Sequence, residues 1–234
     1  MGVFTYNDGD TVCEGYIAVP EGGGPHAAVL IAHNWAGQTW ADNDAADRLA
    51  AAGYVGIAID VYGKGVRGVL MGDNSALMNP WMADRAALLR RLQAAITAVA
   101  AHPMVDAERL AFMGYCFGGL CALDVARSGD DRIKAAISFH GVYSPPNIGV
   151  QGAISASVLV LHGWEDPLTP PAATVALAQE LTAAGADWQI HAYGHAYHAF
   201  TARGAANKAG GVHYDEKADR RSWQALLNFL AETV

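Results

Sequence analysis

The sequence predicts an α/β protein, a mostly parallel sheet with helices on both faces, in one domain spanning residues 1–234. Three observations predict it. Short apolar runs alternate with helical patterns along most of the chain, the order that builds parallel sheets through crossover helices. Several of the strand-like runs are apolar at every position, as in strands buried on both faces. No internal repeat, low-complexity tract or linker interrupts the alternation.

Thr11 to Val19 reads as a strand closed by the turn-rich stretch Pro20 to Pro25. His26 to His33 carries Ala-Ala-Val-Leu-Ile-Ala, a doubly buried strand. Asp44 to Ala52 is helical, with Gly53 as its stop, and Gly53 to Val61 supplies the next buried strand. The glycine-rich segment Gly63 to Gly72 is a loop, and Val66 to Pro80 is the segment most expected to be mobile. Pro80 to Ala101 predicts one long helix, with Leu88, Leu92, Ile96 and Val99 near one face. Strands follow at Leu110 to Gly114, Ile133 to Phe139, Val158 to His162 and Trp188 to Tyr193. Helices are predicted at Gly118 to Arg127, Pro171 to Ala184 and Asp215 to Glu232.

Composition removes several classes of function. A formal net charge of −8 argues against nucleic acid, whose binding is driven by Lys and Arg. No apolar stretch is long enough for a membrane span, and Met1 to Asp10 lacks the pattern of a secretion signal. Cys13, Cys116 and Cys121 are an odd number without zinc-like spacing, which fits a reducing, cytoplasmic location. No cofactor is implied. His191, His195 and His198 could be read as metal ligands, but no Cys or acidic partner accompanies them, so no metal is expected. Gly63-Lys64-Gly65 is too short for a phosphate loop.

The chemistry concentrates at Gly114-Tyr115-Cys116-Phe117-Gly118-Gly119, between a predicted strand and a predicted helix. This is a Gly-x-nucleophile-x-Gly elbow with cysteine in the nucleophile position. The turn sets the sulfur beside free N–H groups at a helix start, where a thiolate is favoured. Cys121 reads as core. An acid and a histidine follow in the order such an elbow requires. Asp166, in His162-Gly163-Trp164-Glu165-Asp166-Pro167, is the candidate acid; the loop after the last strand offers His195 and His198 as bases, and His198 is preferred because His198-Ala199-Phe200 matches the family pattern given below. In triad chemistry His198 takes the thiol proton, Asp166 orients the imidazole, and the Phe117 N–H helps hold the oxyanion.

Gly-Tyr-Cys-Phe-Gly-Gly, Asp166 in its loop, His198-Ala199-Phe200 and Asp60-Val61-Tyr62-Gly63 together resemble the dienelactone hydrolases (carboxymethylenebutenolidases) of the α/β-hydrolase fold, from about Thr11 to Ala231. The resemblance implies a Cys116–His198–Asp166 triad, with Trp35 and Phe117 giving the oxyanion amides. Two positions depart from it. The family carries a glutamate after the early strand's histidine, and here His33 is followed by Asn34, which cannot exchange a proton with the cysteine. The family also binds a substrate carboxylate with two arginines, for which Arg85 and Arg203 are the candidates.

A thiolate leaves a tetrahedral intermediate more readily than most amines, so esters with acidic leaving groups suit it better than amides. The sequence therefore predicts hydrolysis of a small-molecule lactone or activated ester. A general carboxylesterase or thioesterase is the alternative, and a redox-sensing or binding protein using Cys116 is a third.

Overall fold

The computed structural model describes residues 1–149 and 152–234. One eight-stranded sheet runs in the order β1-β2-β4-β3-β5-β6-β7-β8. Its strands are β1 (Gly2–Asp8), β2 (Thr11–Ala18), β3 (His26–Ala32), β4 (Val55–Ile59), β5 (Val105–Tyr115), β6 (Ile133–Phe139), β7 (Ser157–Gly163) and β8 (Trp188–Tyr193). β1 pairs antiparallel with β2, and β2 antiparallel with β4; the other neighbours are parallel. The helices are α1 (Trp40–Ala51), α2 (Ser75–Ala83), α3 (Arg85–Ala100), α4 (Phe117–Arg127), α5 (Pro171–Ala183) and α6 (Glu216–Thr233). A two-residue hairpin, β9 (Ala206–Asn207) with β10 (Val212–His213), lies between β8 and α6.

The uniformly apolar strands feed core layers on both faces of the sheet. Leu30 of β3 and Phe112 of β5 face Leu88, Leu92 and Ile96 of α3 and Leu120 of α4. Their neighbours Val29, Ile31, Ala111 and Met113 point the other way, against Leu49 of α1 and Leu226 and Leu230 of α6. Alternate residues of one strand thus serve opposite layers, which is why every position had to be apolar.

Three elements differ from the expectation. β1 is an added edge strand whose residues alternate between exposed and buried, a weaker pattern than its neighbours'. The predicted helix from Pro80 is two helices. Pro80 lies inside α2, and the chain breaks at Asp84, whose side chain accepts from the Ala87 N–H and caps α3. α1 begins at Trp40, four residues early, because Thr39 and Asp42 form a reciprocal capping box.

The sheet order places β3 between β4 and β5, so the chain reverses direction of growth there. The crevice outside the carboxyl ends of strands at such a point is where open α/β sheets bind ligands. Cys116 follows β5 and Asn34–Trp35 follow β3, so both open onto it.

Candidate active site

Cys116 joins β5 directly to α4 with φ 56° and ψ −111°, a conformation that L-residues rarely adopt. Its N–H donates to the Phe139 carbonyl at 3.0 Å, and its carbonyl accepts from Leu120 N at 3.2 Å, so the strained turn is fastened on both sides. The glycines are required by close approach. A Cβ on Gly114 would overlap the Gly118 carbonyl, and one on Gly118 would overlap the carbonyl of Ala32. Cys116 is partly exposed, whereas Cys13 and Cys121 are buried, the latter as expected of a core residue; all three are free.

Asp166 follows β7 and His198 follows β8, and both side chains are buried. His198 Nδ1 donates to Asp166 Oδ2 at 2.7 Å, and the other carboxylate oxygen accepts from Leu168 N at 2.8 Å. The His198 backbone is held against the hairpin: its N–H donates to Gly211 O at 3.0 Å and its carbonyl accepts from His213 N at 3.1 Å. Burial opposes a charge on this ring, but the Asp166 hydrogen bond, and the hydrogen bonding and charge of Cys116, outweigh it and raise the imidazole to about 10. Asp166 and His198 are thus hydrogen-bonded at the carboxyl ends of β7 and β8, the same rim of the sheet at which Cys116 follows β5.

Protonated His198 contributes stability that is complete below about pH 6.5 and is lost as the pH rises through about 10, because the folded value lies above the ordinary one. Urea unfolding should therefore show native stability falling across that window relative to His198→Ala. Parallel pH curves for the two proteins would contradict a charged ring.

The loop after β3 is built around His33, a buried ring that burial pushes down to about 4. As a neutral imidazole it can donate from Nδ1 to Asn34 O at 2.6 Å and accept from Val61 N at Nε2 at 3.1 Å. Asn34 accepts from Ala36 N through its side chain at 2.8 Å, so the amide braces its own turn. Tyr62 donates to the Trp35 carbonyl at 3.1 Å. Among the described residues, no protein acceptor takes the N–H of Trp35 or of Phe117. Asp60 fixes the neighbouring loop by accepting from Tyr62 N, Gly63 N and Arg67.

The two candidate arginines are placed differently from the expectation of a carboxylate clamp. Arg85 is buried, with Nε and Nη2 paired to Asp124 at 2.7 and 2.6 Å and Nη2 also donating to Ser144 O at 3.2 Å. Arg127 binds the same carboxylate and Glu180. This is a buried charge network joining α3, α4 and α5, and its removal has a cost. Asp124→Asn should lower stability by about 3 kcal/mol, since it leaves buried guanidiniums short of charge; an unchanged denaturation midpoint would refute this. Arg203 is exposed and lines a surface cavity with Arg48, Tyr214, Asp219 and Trp223 at the start of α6.

One ring at the site escaped the sequence reading. His140, directly after β6, has φ 37° and packs edge-to-face on His198 with ring centroids 5.3 Å apart. Its Nε2 pairs with Thr201 Oγ1 at 2.8 Å, and burial, then the His198 charge, push it well below the ordinary range, so it is neutral. A histidine before glycine at a strand's carboxyl end, Phe139-His140-Gly141, was the available signal. His191 and His195 do not join a metal cluster; among the described residues no group of three or more His, Cys, Asp or Glu could hold a metal ion. No helix among them is long and apolar enough to cross a membrane.

The mostly parallel sheet and its strand–elbow–helix turn define an α/β-hydrolase. The chain belongs to the dienelactone hydrolase family, which matches residues 13–234. A structure of a dienelactone hydrolase-like promiscuous phosphotriesterase from metagenomic libraries is 35% identical with TM-score 0.93, over 99% of this chain and 97% of that one. An uncharacterized Caenorhabditis elegans protein is 40% identical over 144 residues, 61% of this chain and 91% of its own length. A dienelactone hydrolase from Anabaena variabilis, 17% identical with TM-score 0.72 over 100% of this chain and 97% of that one, shares the fold.

Proposed function

We propose that this protein hydrolyses small lactones and activated esters through a thioester at Cys116, with His198 as acid–base and Asp166 orienting it. The observation that carries this reading is the buried Asp166–His198 hydrogen bond acting on the ring that also feels Cys116. The Cys116 sulfur attacks the substrate carbonyl carbon, and the oxyanion is received by the Trp35 and Phe117 N–H groups. The carbon–oxygen bond to the leaving group breaks, and the imidazolium of His198 supplies the proton to the departing oxygen. Water, deprotonated by His198, then attacks the thioester, and the sulfur leaves as thiolate. Three free cysteines support action in a reducing compartment.

Intact-mass measurement after mixing with an aryl ester should show one acyl group, mapped to Cys116. Turnover with no acylation of Cys116, or turnover surviving thiol alkylation, would remove the cysteine from the mechanism. Reversible oxidation of Cys116 with no ester turnover would instead favour the sensor reading.

The 35% identical phosphotriesterase favours a second activity at the same centre. Attack of the same sulfur on an activated phosphotriester would expel an aryl oxide and leave an S-phosphoryl enzyme. A dialkyl aryl phosphotriester tested beside the aryl ester separates the two activities.

A further inference from the structure

For His198 to serve Cys116, its segment must cross the sheet. His198 follows β8 and Cys116 follows β5, with β6 and β7 between them. Three strand spacings are about 14 Å, so the crossing passes the carboxyl ends of β7 and β6. Asp166 stands in the turn after β7, and His140 stands directly after β6. Each of these turns presents a side chain to His198. Asp166 accepts from Nδ1, and the buried His140 ring packs edge-to-face on the imidazole with an interplanar angle of 71°.

The turn that carries His140 is a fixed platform. Phe139 O accepts from the Cys116 N–H at 3.0 Å, and His140 N donates to Leu161 O at 2.8 Å, so neighbouring peptides hold the elbow on one side and β7 on the other. Gly141 lies against α4, where an added Cβ would stand 2.8 Å from the Gly119 carbonyl carbon. From this platform the His140 ring reaches the segment after His198. It lies edge-to-face on Phe200, centroids 5.1 Å apart, and its Nε2 is bonded to Thr201 Oγ1 at 2.8 Å. Nδ1 is buried with no protein partner among the described residues, so Thr201 is the ring's one polar anchor. The segment it anchors is strained. Ala199 sits at φ 57°, and such a residue keeps its conformation only when its surroundings impose it.

We propose that His140 is a positioning residue for the base: through Thr201 it pins the turn at 198–201, so that the His198 imidazole stays aligned with Cys116 and with the attacking water. This inference rests on Cys116 and His198 acting as nucleophile and base. Acylation removes the charge on sulfur, and with it part of what attracts the imidazolium, yet the ring must stay in place for the second step. The Asp166 bond fixes one edge of that ring and leaves it free to swing about that edge. His140 supplies the second constraint. Burial, then the His198 charge, keep His140 neutral, so it packs on an imidazolium without repelling it.

The test is made at Thr201, away from the strained backbone of His140, with 4-nitrophenyl acetate as substrate. Thr201→Val keeps the side-chain shape and removes the hydroxyl. It should lower kcat on the order of tenfold and leave KM within about twofold, because proton transfer needs a fixed ring and substrate binding does not. Thr201→Ser returns the hydroxyl and should bring kcat back to within about twofold of the native chain. His140→Phe keeps a ring without Nε2 and should match Thr201→Val. The double variant should be no more than about twofold slower than either, since both changes remove one bond. Thermal melts identify the folded proteins, and either loss variant alone, through its kcat and KM, is decisive. Native kcat in the loss variants, a serine protein as slow as the valine one, or losses that multiply in the double variant overturns the inference and leaves the nucleophile standing. Turnover that persists in Cys116→Ala, or no turnover by the native chain, removes the nucleophile and the inference together.

Discussion

Cys116→Ala should lower ester kcat on the order of 10⁵-fold, because removing the nucleophile of a triad disables the unit and leaves only binding and oxyanion contacts. The protein should remain folded, for Cys116 is partly exposed and its sulfur packs in no core cluster. Cys116→Gly makes the argument sharper. The residue sits at φ 56°, where only glycine is comfortable, so glycine should raise stability by about 1 kcal/mol while activity stays lost. The pair of results would show that the strain serves catalysis alone. Asp166→Asn should cost about 10⁴-fold, by unsettling the tautomer that puts the proton on His198 Nδ1. Steady-state kinetics on an aryl ester, with thermal melts of the same samples, decides all three. Substantial turnover by the alanine protein would end the case for sulfur, and Asn34 cannot take over as a base.

The central layers were legible because burial on both faces leaves an unbroken apolar run, as in Ala27 to Ala32 and Val158 to Leu161. The elbow was legible because its glycines answer a local steric demand, backbone against backbone, that no other residue meets. The loops of Asp166 and His198 could be found from chain order, since each follows a strand that ends at the same rim, but His198 was separable from His195 only through the resemblance carried by His198-Ala199-Phe200. What failed depended on partners distant in the sequence. Arg85 reads as an available cation until Asp124, 39 residues on, is seen to hold it. Arg203 lies five residues after His198, yet the turn at Ala199, with φ 57°, is followed by a loop that takes it to α6. His140 was invisible because its meaning is a contact with His198, a ring from another strand's loop. The split of α2 from α3 was hidden by continuous helical composition, which Asp84 interrupts only through a cap.

Gly118→Ala should be the most damaging single methyl group in the chain. Gly118 lies in the first turn of α4, where it crosses the end of β3, and a Cβ there would overlap the carbonyl oxygen of Ala32 and crowd that of His33. Neither neighbour can retreat. Ala32 is paired in register with both Ile59 and Gly114, at the middle of the sheet. α4 is fully buried along its length, so moving it disturbs both the α3-facing core and the Asp124 network. The clash is backbone against Cβ, beyond the reach of rotamer changes, so the loss should exceed the roughly 1–3 kcal/mol of ordinary overpacking. We expect more than about 5 kcal/mol, a large part of the 5–15 kcal/mol that typical domains possess. The control is Gly53→Ala, where φ is 96° but nothing lies within 4 Å of the added carbon. That substitution carries backbone strain without collision and should cost only about 1–2 kcal/mol. Soluble expression and urea midpoints compare the two directly. If Gly118→Ala proved no worse than Gly53→Ala, the close passage of α4 over β3 could not be what holds Cys116 in its strained turn.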